Sequence, residues 1–429
     1  MHRCQDLNVN SQFTMHNSQC TIHDIDEGRV LIALPLSKSV RARELVLDAL
    51  AGKVVEIEEE NDDIFVLSRA LRQCTTNGLE LQRKMHNAQC IMHNAQLDEI
   101  CELDLHHSGT ALRFMTAFCA VSDGEFLLSG SERLCERPIK PLVDALILIG
   151  ANIEYVGREG FAPLRIKGGR LKGGRVRLDA SVSSQFASAL MLIADKVEGG
   201  IEIEYEGDVV SQSYISLTKA VIEKYRSGVR CSGERDWSSA TVWYAAMAVL
   251  KEGRFLLEGL SLDSCQPDRK IVEVFEKLGV KTTALENGVE IERDGCVVDK
   301  LILDCKNMPD AVMYIVVAAC LLGVEFEISG VETLRVKESD RIEALMTEMR
   351  KCGYFIQCTM HNAQCTIHNS QCTIHNSQCD YLVRIETYND HRVAMAMAVM
   401  GLVRDVEIEN PEVVNKSYPT FWEEMRKIK

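Results

Sequence analysis

One module recurs six times along this chain, and that recurrence limits the available folds more than any other feature. Each copy opens with polar or charged residues and continues as a run of small and apolar residues at helical length. It then turns at Gly or an acidic residue and closes on a short β-rich stretch. The copies are SKSVRARELVLDALAGKVVEIEEE from Ser37, SGTALRFMTAFCAVSDGEFLLSG from Ser108, SSQFASALMLIADKVEGGIEIEYEG from Ser183, WSSATVWYAAMAVLKEGRFLLEG from Trp237, PDAVMYIVVAACLLGVEFEISG from Pro309, and DHRVAMAMAVMGLVRDVEIEN from Asp390. Several are followed by a second helix with apolar residues at i, i+3 and i+4 and charges between, as in RPIKPLVDALILIGANIEY, DRKIVEVFEKLGVKT and ESDRIEALMTEMRKCGYF. These are expected to be half exposed. The first helices are apolar nearly all round and are expected inside. Six such units in 429 residues predict two α/β domains of three units each.

The formal net charge is −15, which argues against a nucleic-acid partner, because a phosphate backbone demands a basic surface. Small anionic ligands remain open to it through local clusters of cations. The first residues, MHRCQDLNVNSQF, lack the apolar core of a signal peptide. The longest apolar run, Ala311 to Val324, is too short to span a bilayer and reads as a buried core helix. A soluble, cytoplasmic protein with no membrane partner is the expectation.

Of the 17 cysteines, Cys20, Cys90, Cys358, Cys365, Cys372 and Cys379 lie in a seven-residue repeat. It reads MHNSQCTIH from Met15, MHNAQCIMHNAQ from Met85, and TMHNAQCTIHNSQCTIHNSQC from Thr359. His and Cys are zinc ligands, but structural zinc motifs pair their cysteines much more closely, so no metal site is expected. The stretches near 13–24, 84–97 and 358–380 fall between modules and are expected to be exposed inserted loops. The remaining cysteines sit singly in apolar surroundings, such as Cys119 and Cys320, and read as reduced core residues.

The module openings carry the chemistry. Ser, Thr, Asp or Pro at each opening suits a helix N-cap, and converging helix N-termini form an anion site. Capping alone would explain these residues; the cations placed with them would not be explained that way. Lys38, Arg43, Arg113, Arg137, Lys337, Arg341, Arg392 and Lys416 fall at or near equivalent places. Arg forks fit phosphate and carboxylate, and Lys supplies a point charge, so the implied ligand is strongly anionic.

The strings LPLSKSVRAR, SGTALR, CERPI, SVSSQF, PDA, LRVKESDR, YNDHRVAM and NKSYP occur in this order on those openings. Together, from about Leu34 to Trp422, the chain resembles the enolpyruvyl transferase family, in particular its shikimate-pathway branch. The resemblance implies an α/β, two-domain enolpyruvyl transferase fold, each domain three repeated units of buried helices and β-sheet, an inside-out α/β barrel. It puts residues 36–235 in a first domain on the shikimate 3-phosphate side. Residues 1–35 with 236–429 would form the second, carrying the catalytic carboxylates and the phosphoenolpyruvate cations, with hinge crossings near Leu36 and Asp236 that let the domains close.

The same resemblance assigns roles. Ser39 and Arg43 would hold shikimate 3-phosphate, and Lys38 would meet both substrates. Ser183, Ser184, Gln185 and Ser211 would ring the shikimate phosphate and the phosphoenolpyruvate. Arg137, Arg341, Arg392 and Lys416 match the phosphoenolpyruvate cations, and Lys337 would contact the shikimate ring. Gly109, lacking a Cβ, would let the backbone approach phosphoenolpyruvate closely, and its retention implies that glyphosate competes with that substrate. The implied reaction is an addition and elimination: the 5-hydroxyl attacks C2 of phosphoenolpyruvate as C3 is protonated, and then phosphate leaves. Asp310 matches the base and Glu338 the acid, with Lys38 a partner in the proton transfers. Glu338 would need some burial to hold a proton among so many cations. His391 is expected to position its neighbours. No cofactor or metal is required, the partners are the two small substrates, and a monomer is expected.

Leu36 stands where Gly commonly precedes SKS, His107 and Ser108 where Asn-Ala is common, and Thr333 where Asn commonly helps hold shikimate. Between Tyr225 and Trp237 only a short RSGVRCSGERD connection intervenes, so part of that module's sheet is expected to be missing. Two rival readings of these motifs remain, beside a third, a His/Cys metal-binding protein, that would require stoichiometric metal. One is the sister transferase acting on UDP-N-acetylglucosamine, for which no Cys stands in a clearly matching loop. The other is a non-catalytic relative that keeps the anion cleft.

Overall fold

The computed structural model describes residues 12–15, 28–58, 61–87, 100–179, 184–207, 212–231, 233–361, 364–369 and 382–428, with side chains at 12, 76–87, 361 and 364 left aside. The chain divides into two compact units. One comprises Met1–Pro35, Arg235–Ser264 and Asp268–Lys429, and the other Leu36–Glu234 with Cys265–Pro267.

The six module openings lead into helices at Lys38–Leu50, Gly109–Ala120, Ser184–Ile193, Trp237–Val249, Val312–Leu322 and His391–Met400. The first three pack on one another in one unit and the last three in the other. Their all-round apolar sequence explains this, since a helix without a polar face lowers its free energy only when every side is covered. The Val312–Leu322 helix is the clearest case, buried from Val312 through Cys320. Cys119 and Cys320 are buried in these cores and form no disulfide, as their apolar settings suggest. The amphipathic helices at Lys140–Leu148, Ile271–Lys277 and Arg341–Lys351 bury one side only. Among the described residues, no helix is long and apolar enough to cross a membrane.

Three four-stranded sheets share one plan, a parallel pair continued by an antiparallel hairpin. One runs Cys101–Asp104, Glu125–Ser129, Leu164–Lys167, Asn152–Tyr155. The second runs Val30–Ile32, Arg254–Glu258, Gly288–Arg293, Val280–Leu285. The third runs Lys300–Asp304, Glu325–Ser329, Gln364–His368, Gln357–His361.

That third hairpin corrects the expectation that the His/Cys repeat forms exposed loops. The described part of its longest stretch is sheet, with Cys365 and Ile367 fully buried and Met360 exposed at the surface. Asn369 ends it by accepting from Phe326 N–H and donating to the Val324 carbonyl. The physical reason is period two: in QCTIH the apolar Cys and Ile alternate with polar residues, which is strand patterning. Elsewhere, Gln12–Met15 pairs with Val406–Glu409 and buries Met15, and the Asp62–Asn87 helix runs into the second repeat stretch. The rest of the repeat lies outside the described residues.

The Ser183 module differs as its short connection predicts. Lys172–Asp179 and Glu198–Glu206 form a sheet of two parallel strands, without the hairpin of the four-stranded sheets among the described residues.

Candidate active site

In the Leu36–Glu234 unit, the N-terminal turns of the three buried helices meet. Gln185 donates to Thr110 Oγ1 at 2.9 Å, and Arg43 reaches Ser188 Oγ at 3.3 Å and Thr218 Oγ1 at 2.8 Å. Arg43 also donates to the Ser39 carbonyl at 2.6 Å, and its guanidinium lies 5.5 Å from the Phe114 ring centre. It is buried, its contacts are neutral, and among the described residues it forms no ion pair with a carboxylate. Burial lowers its pKa to about 10, against weaker opposing effects from Tyr214 and Cys265.

Lys38, the first residue of its helix, pairs with Asp63 Oδ2 at 2.8 Å. Ser108 caps the next helix by accepting from Ala111 N–H, which sets Gly109 at its first position. A Cβ at Gly109 would collide with the Arg137 guanidinium and lie 2.5 Å from Arg113 Nη1. Arg113 donates to the Gly109 and Pro138 carbonyls, and Arg137 Nε is buried without a hydrogen-bond partner among the described residues. The glycine therefore makes room for two guanidinium groups. Ser184 is buried at the start of its helix, while Ser183 and Ser211 lie outside the described residues.

The other unit gathers Asp310, Lys337, Glu338, Arg341, Arg392 and Lys416. Arg341 is at its centre, almost fully buried, donating to Asp310 Oδ1 at 2.8 Å, Glu338 Oε2 at 2.7 Å, and Asp390 at 2.8 and 3.1 Å. Lys337 Nζ approaches Asp310 at 3.3 Å, Arg392 Nη2 at 4.0 Å, and Lys416 Nζ lies 2.9 Å from Glu338 Oε1. Burial pushes the Asp310 carboxyl up, but Lys337, Arg392 and Arg341 outweigh it and hold the group well below the usual carboxylate range. Burial likewise lowers Arg341, and Asp390, Glu338 and Asp310 more than reverse that. Glu338 is partly buried, as expected, yet both its oxygens accept from cations.

Local sequence places these groups. Pro309 begins the tight turn that carries Asp310 into the Val312–Leu322 helix. Asp340 caps the Arg341–Lys351 helix through Glu343 N–H, so Arg341 is its first residue. Four non-glycine residues among those described have positive φ: His106, Tyr388, Asn389 and Asn410. Each lies a few positions before a site residue, namely Gly109, Arg392 and Lys416. Such conformations cost about 1–3 kcal/mol each and persist where the surroundings over-determine them.

Sequence reasoning missed Asp390 and Asp63. Asp390 is fully buried, caps the His391–Met400 helix, and accepts from Ser339 as well as Arg341. Its signal was present in the YNDHR string, where the neighbouring His and Arg drew the attention. His391 is buried with Nδ1 3.9 Å from Asp390. Thr333 Oγ1 is buried without a hydrogen-bond partner among the described residues.

Residues 26–235 and 223–425 match the family described as EPSP synthase (3-phosphoshikimate 1-carboxyvinyltransferase). A 3-phosphoshikimate 1-carboxyvinyltransferase of Bacteroides fragilis (strain YCH46) is 35% identical over 420 residues, covering 93% of this chain and 95% of that one. The protein of the same name from Mannheimia succiniciproducens is 34% identical, covering 95% and 98%. EPSP synthase from Acinetobacter baumannii superposes with a TM-score of 0.65 at 19% identity, covering 97% of this chain and 98% of that chain, which establishes the shared fold. The matched motifs, the fold and the identity over nearly the whole length agree: this chain belongs to the EPSP synthase (3-phosphoshikimate 1-carboxyvinyltransferase) family.

Proposed function

We propose that the chain transfers the enolpyruvyl group of phosphoenolpyruvate to the 5-hydroxyl of shikimate 3-phosphate and releases phosphate. The observation that ties this reading to the chain's own residues is Arg43, a buried cation whose contacts are all neutral among the described residues. An isolated buried charge is costly, and an anionic ligand would complete it. A substrate phosphate fits that need, with Ser39, Ser184 and Gln185 nearby as donors.

In this reading residues 36–235 form the shikimate 3-phosphate domain, with Lys38, Gly109 and Arg137 turned to phosphoenolpyruvate. Residues 1–35 with 236–429 supply Asp310 as base, Glu338 as acid, and Lys337, Arg341, Arg392 and Lys416 as binding cations. Ser183 and Ser211 complete the phosphate ring. The reading also takes the protein as a cytoplasmic monomer.

A carboxylate held as low as Asp310 is a weak base. The anionic groups of the substrates would offset Lys337, Arg392 and Arg341, weakening their hold and making Asp310 more basic when a proton must be taken. Glu338, an acceptor at both oxygens, acts as a relay: Lys416, 2.9 Å away, supplies the proton it passes to C3, and the elimination returns that proton through Glu338. The proton that Asp310 takes from the 5-hydroxyl leaves with the phosphate, with Lys38 a further proton-bearing partner. The clustered cations stabilise the phosphate as it leaves.

The test is phosphate release from phosphoenolpyruvate with and without shikimate 3-phosphate, for the wild type and for Asp310→Ala. Release that needs the acceptor and is lost in the variant supports the reading. Folded protein that binds both substrates without turnover would instead favour an anion-binding relative, and turnover with UDP-N-acetylglucosamine the sister activity.

A further inference from the structure

Asp268 is a buried carboxylate that the reaction scheme above does not use. It lies in the Pro267–Lys270 turn, 1% exposed, and accepts a hydrogen bond from Ser238 Oγ. Ser238 is the second residue of the buried Trp237–Val249 helix, and its main-chain carbonyl accepts from Arg392 Nη1 at 3.1 Å. Asp268 Oδ1 has no hydrogen-bond partner among the described residues. Arg392 thus faces Asp310 with Nη2 at 4.0 Å and donates through Nη1 to a carbonyl whose residue is tied to Asp268. Asp236, which caps the same helix through Ser239, adds a third negative charge acting on that guanidinium.

We propose that Asp268 is a positioning residue for phosphoenolpyruvate binding, holding Ser238 so that the Ser238 carbonyl fixes the Arg392 guanidinium toward the anion. The inference rests on the reading above that Arg392 binds phosphoenolpyruvate. The geometry favours it over a purely structural role for two reasons. Burying a carboxylate with one oxygen unmatched is unfavourable for stability alone. The connection also ends on the Ser238 carbonyl that accepts from Arg392 Nη1, so a shift of Ser238 is passed directly to the guanidinium. A fork already fixed by such a bond loses less freedom when it meets a carboxylate or phosphate.

The hydroxyl bond, rather than the charge, is the feature that positions. Asn at 268 can still accept from Ser238, whereas Ala cannot, and Ser238→Ala removes the same bond from the other side. Steady-state kinetics of Asp268→Ala, Asp268→Asn, Ser238→Ala and the Asp268→Ala/Ser238→Ala pair are compared with Arg392→Lys. The expected result is a KM for phosphoenolpyruvate raised by about tenfold in Asp268→Ala and in Ser238→Ala, the scale of one hydrogen bond bearing on a charged group. The KM for shikimate 3-phosphate stays within about twofold, the double variant is no worse than either single one, and Asn restores most of the affinity. Should Asp268→Ala not fold, Ser238→Ala and Asp268→Asn decide the matter.

Equal losses in both KM values and kcat, or additive effects in the double variant, would overturn the inference. An unchanged phosphoenolpyruvate KM in Ser238→Ala, with Arg392→Lys impaired, would overturn it while leaving the role of Arg392 intact. If Arg392→Lys itself leaves that KM unchanged, the assignment of Arg392 fails and this inference falls with it.

Discussion

Arg341 Nη1 and Asp310 Oδ1 lie 2.8 Å apart, and the rest of the same guanidinium reaches Glu338 and Asp390. The arginine expected to meet phosphoenolpyruvate is therefore first a frame for the carboxylates. Arg341→Met should abolish turnover and destabilise the protein by about 3–5 kcal/mol, the cost of leaving buried charges unpaired. Asp310 is held below its unfolded pKa, so its share of that stability is complete above the ordinary aspartate range and is lost progressively as pH falls below that range toward the depressed folded pKa. Urea unfolding of both proteins should give a difference that shrinks in acid. A gap independent of pH would count against the ion-pair account.

Asp268 has the opposite sign. Burial first, then the charge of Asp310, pushes its pKa up to about 6 despite Ser238 and Arg392. The folded state then holds a proton more tightly than the unfolded one, so stability falls as pH rises from about 4 to about 6. Asp268→Asn should be more stable than the wild type at pH 7 by on the order of 2 kcal/mol, with the two converging near pH 4. Thermal melts across that range decide it, and a variant less stable at pH 7 than at pH 4 relative to wild type would refute it.

Arg43 should bind phosphate in isolation from the reaction. Added inorganic phosphate is expected to raise the melting temperature of the wild type by ligand linkage and to leave Arg43→Gln unmoved. An equal rise in both proteins would place the phosphate elsewhere.

Gly109→Ala introduces a Cβ where Arg137 and Arg113 already lie. The guanidinium groups must shift, and a displacement of about 1 Å at a binding group can cost on the order of a hundredfold. We expect a KM for phosphoenolpyruvate raised at least tenfold, weaker inhibition by glyphosate, and an unchanged KM for shikimate 3-phosphate. Unaltered kinetics would mean that the glycine's space is not used by the substrate.

The repeat hairpin should behave as core. Ile367 is fully buried in it, while Met360 is 61% exposed. Ile367→Asp should destabilise by about 3 kcal/mol or more, and Met360→Asp by about 0.5 kcal/mol or less. Denaturant midpoints that moved equally would return the segment to the status of an appended loop.

Much of the fold was legible because its causes are local. Helices that are apolar all round announce burial, and the alternation in five of the six module tails announces strands; the tail of the first module, residues 53–58, forms none and leaves Val54 and Ile57 exposed. The hairpin formed by 357–361 and 364–368 was legible by the same rule. It was missed because seven-residue repetition of His and Cys masked the period-two pattern beneath it. The short connection after Tyr225 did foretell a reduced sheet, since four strands need more chain than was there.

The site was legible as a set of charges and not as a set of pairs. Sequence by itself determined the six buried helices, the cations and carboxylates at their openings, and the order of motifs that identifies the family. Only the tertiary structure decided that Glu338 faces Lys416 across 78 residues of chain, that Arg43 meets hydroxyls with no carboxylate among the described residues, and that Asp268 reaches Arg392 through Ser238. The physical reason is range. Periodicity and capping act over one or two turns of chain, whereas hydrogen bonds and ion pairs act over about 3–4 Å of space. Which groups come that close is settled by how the buried helices pack.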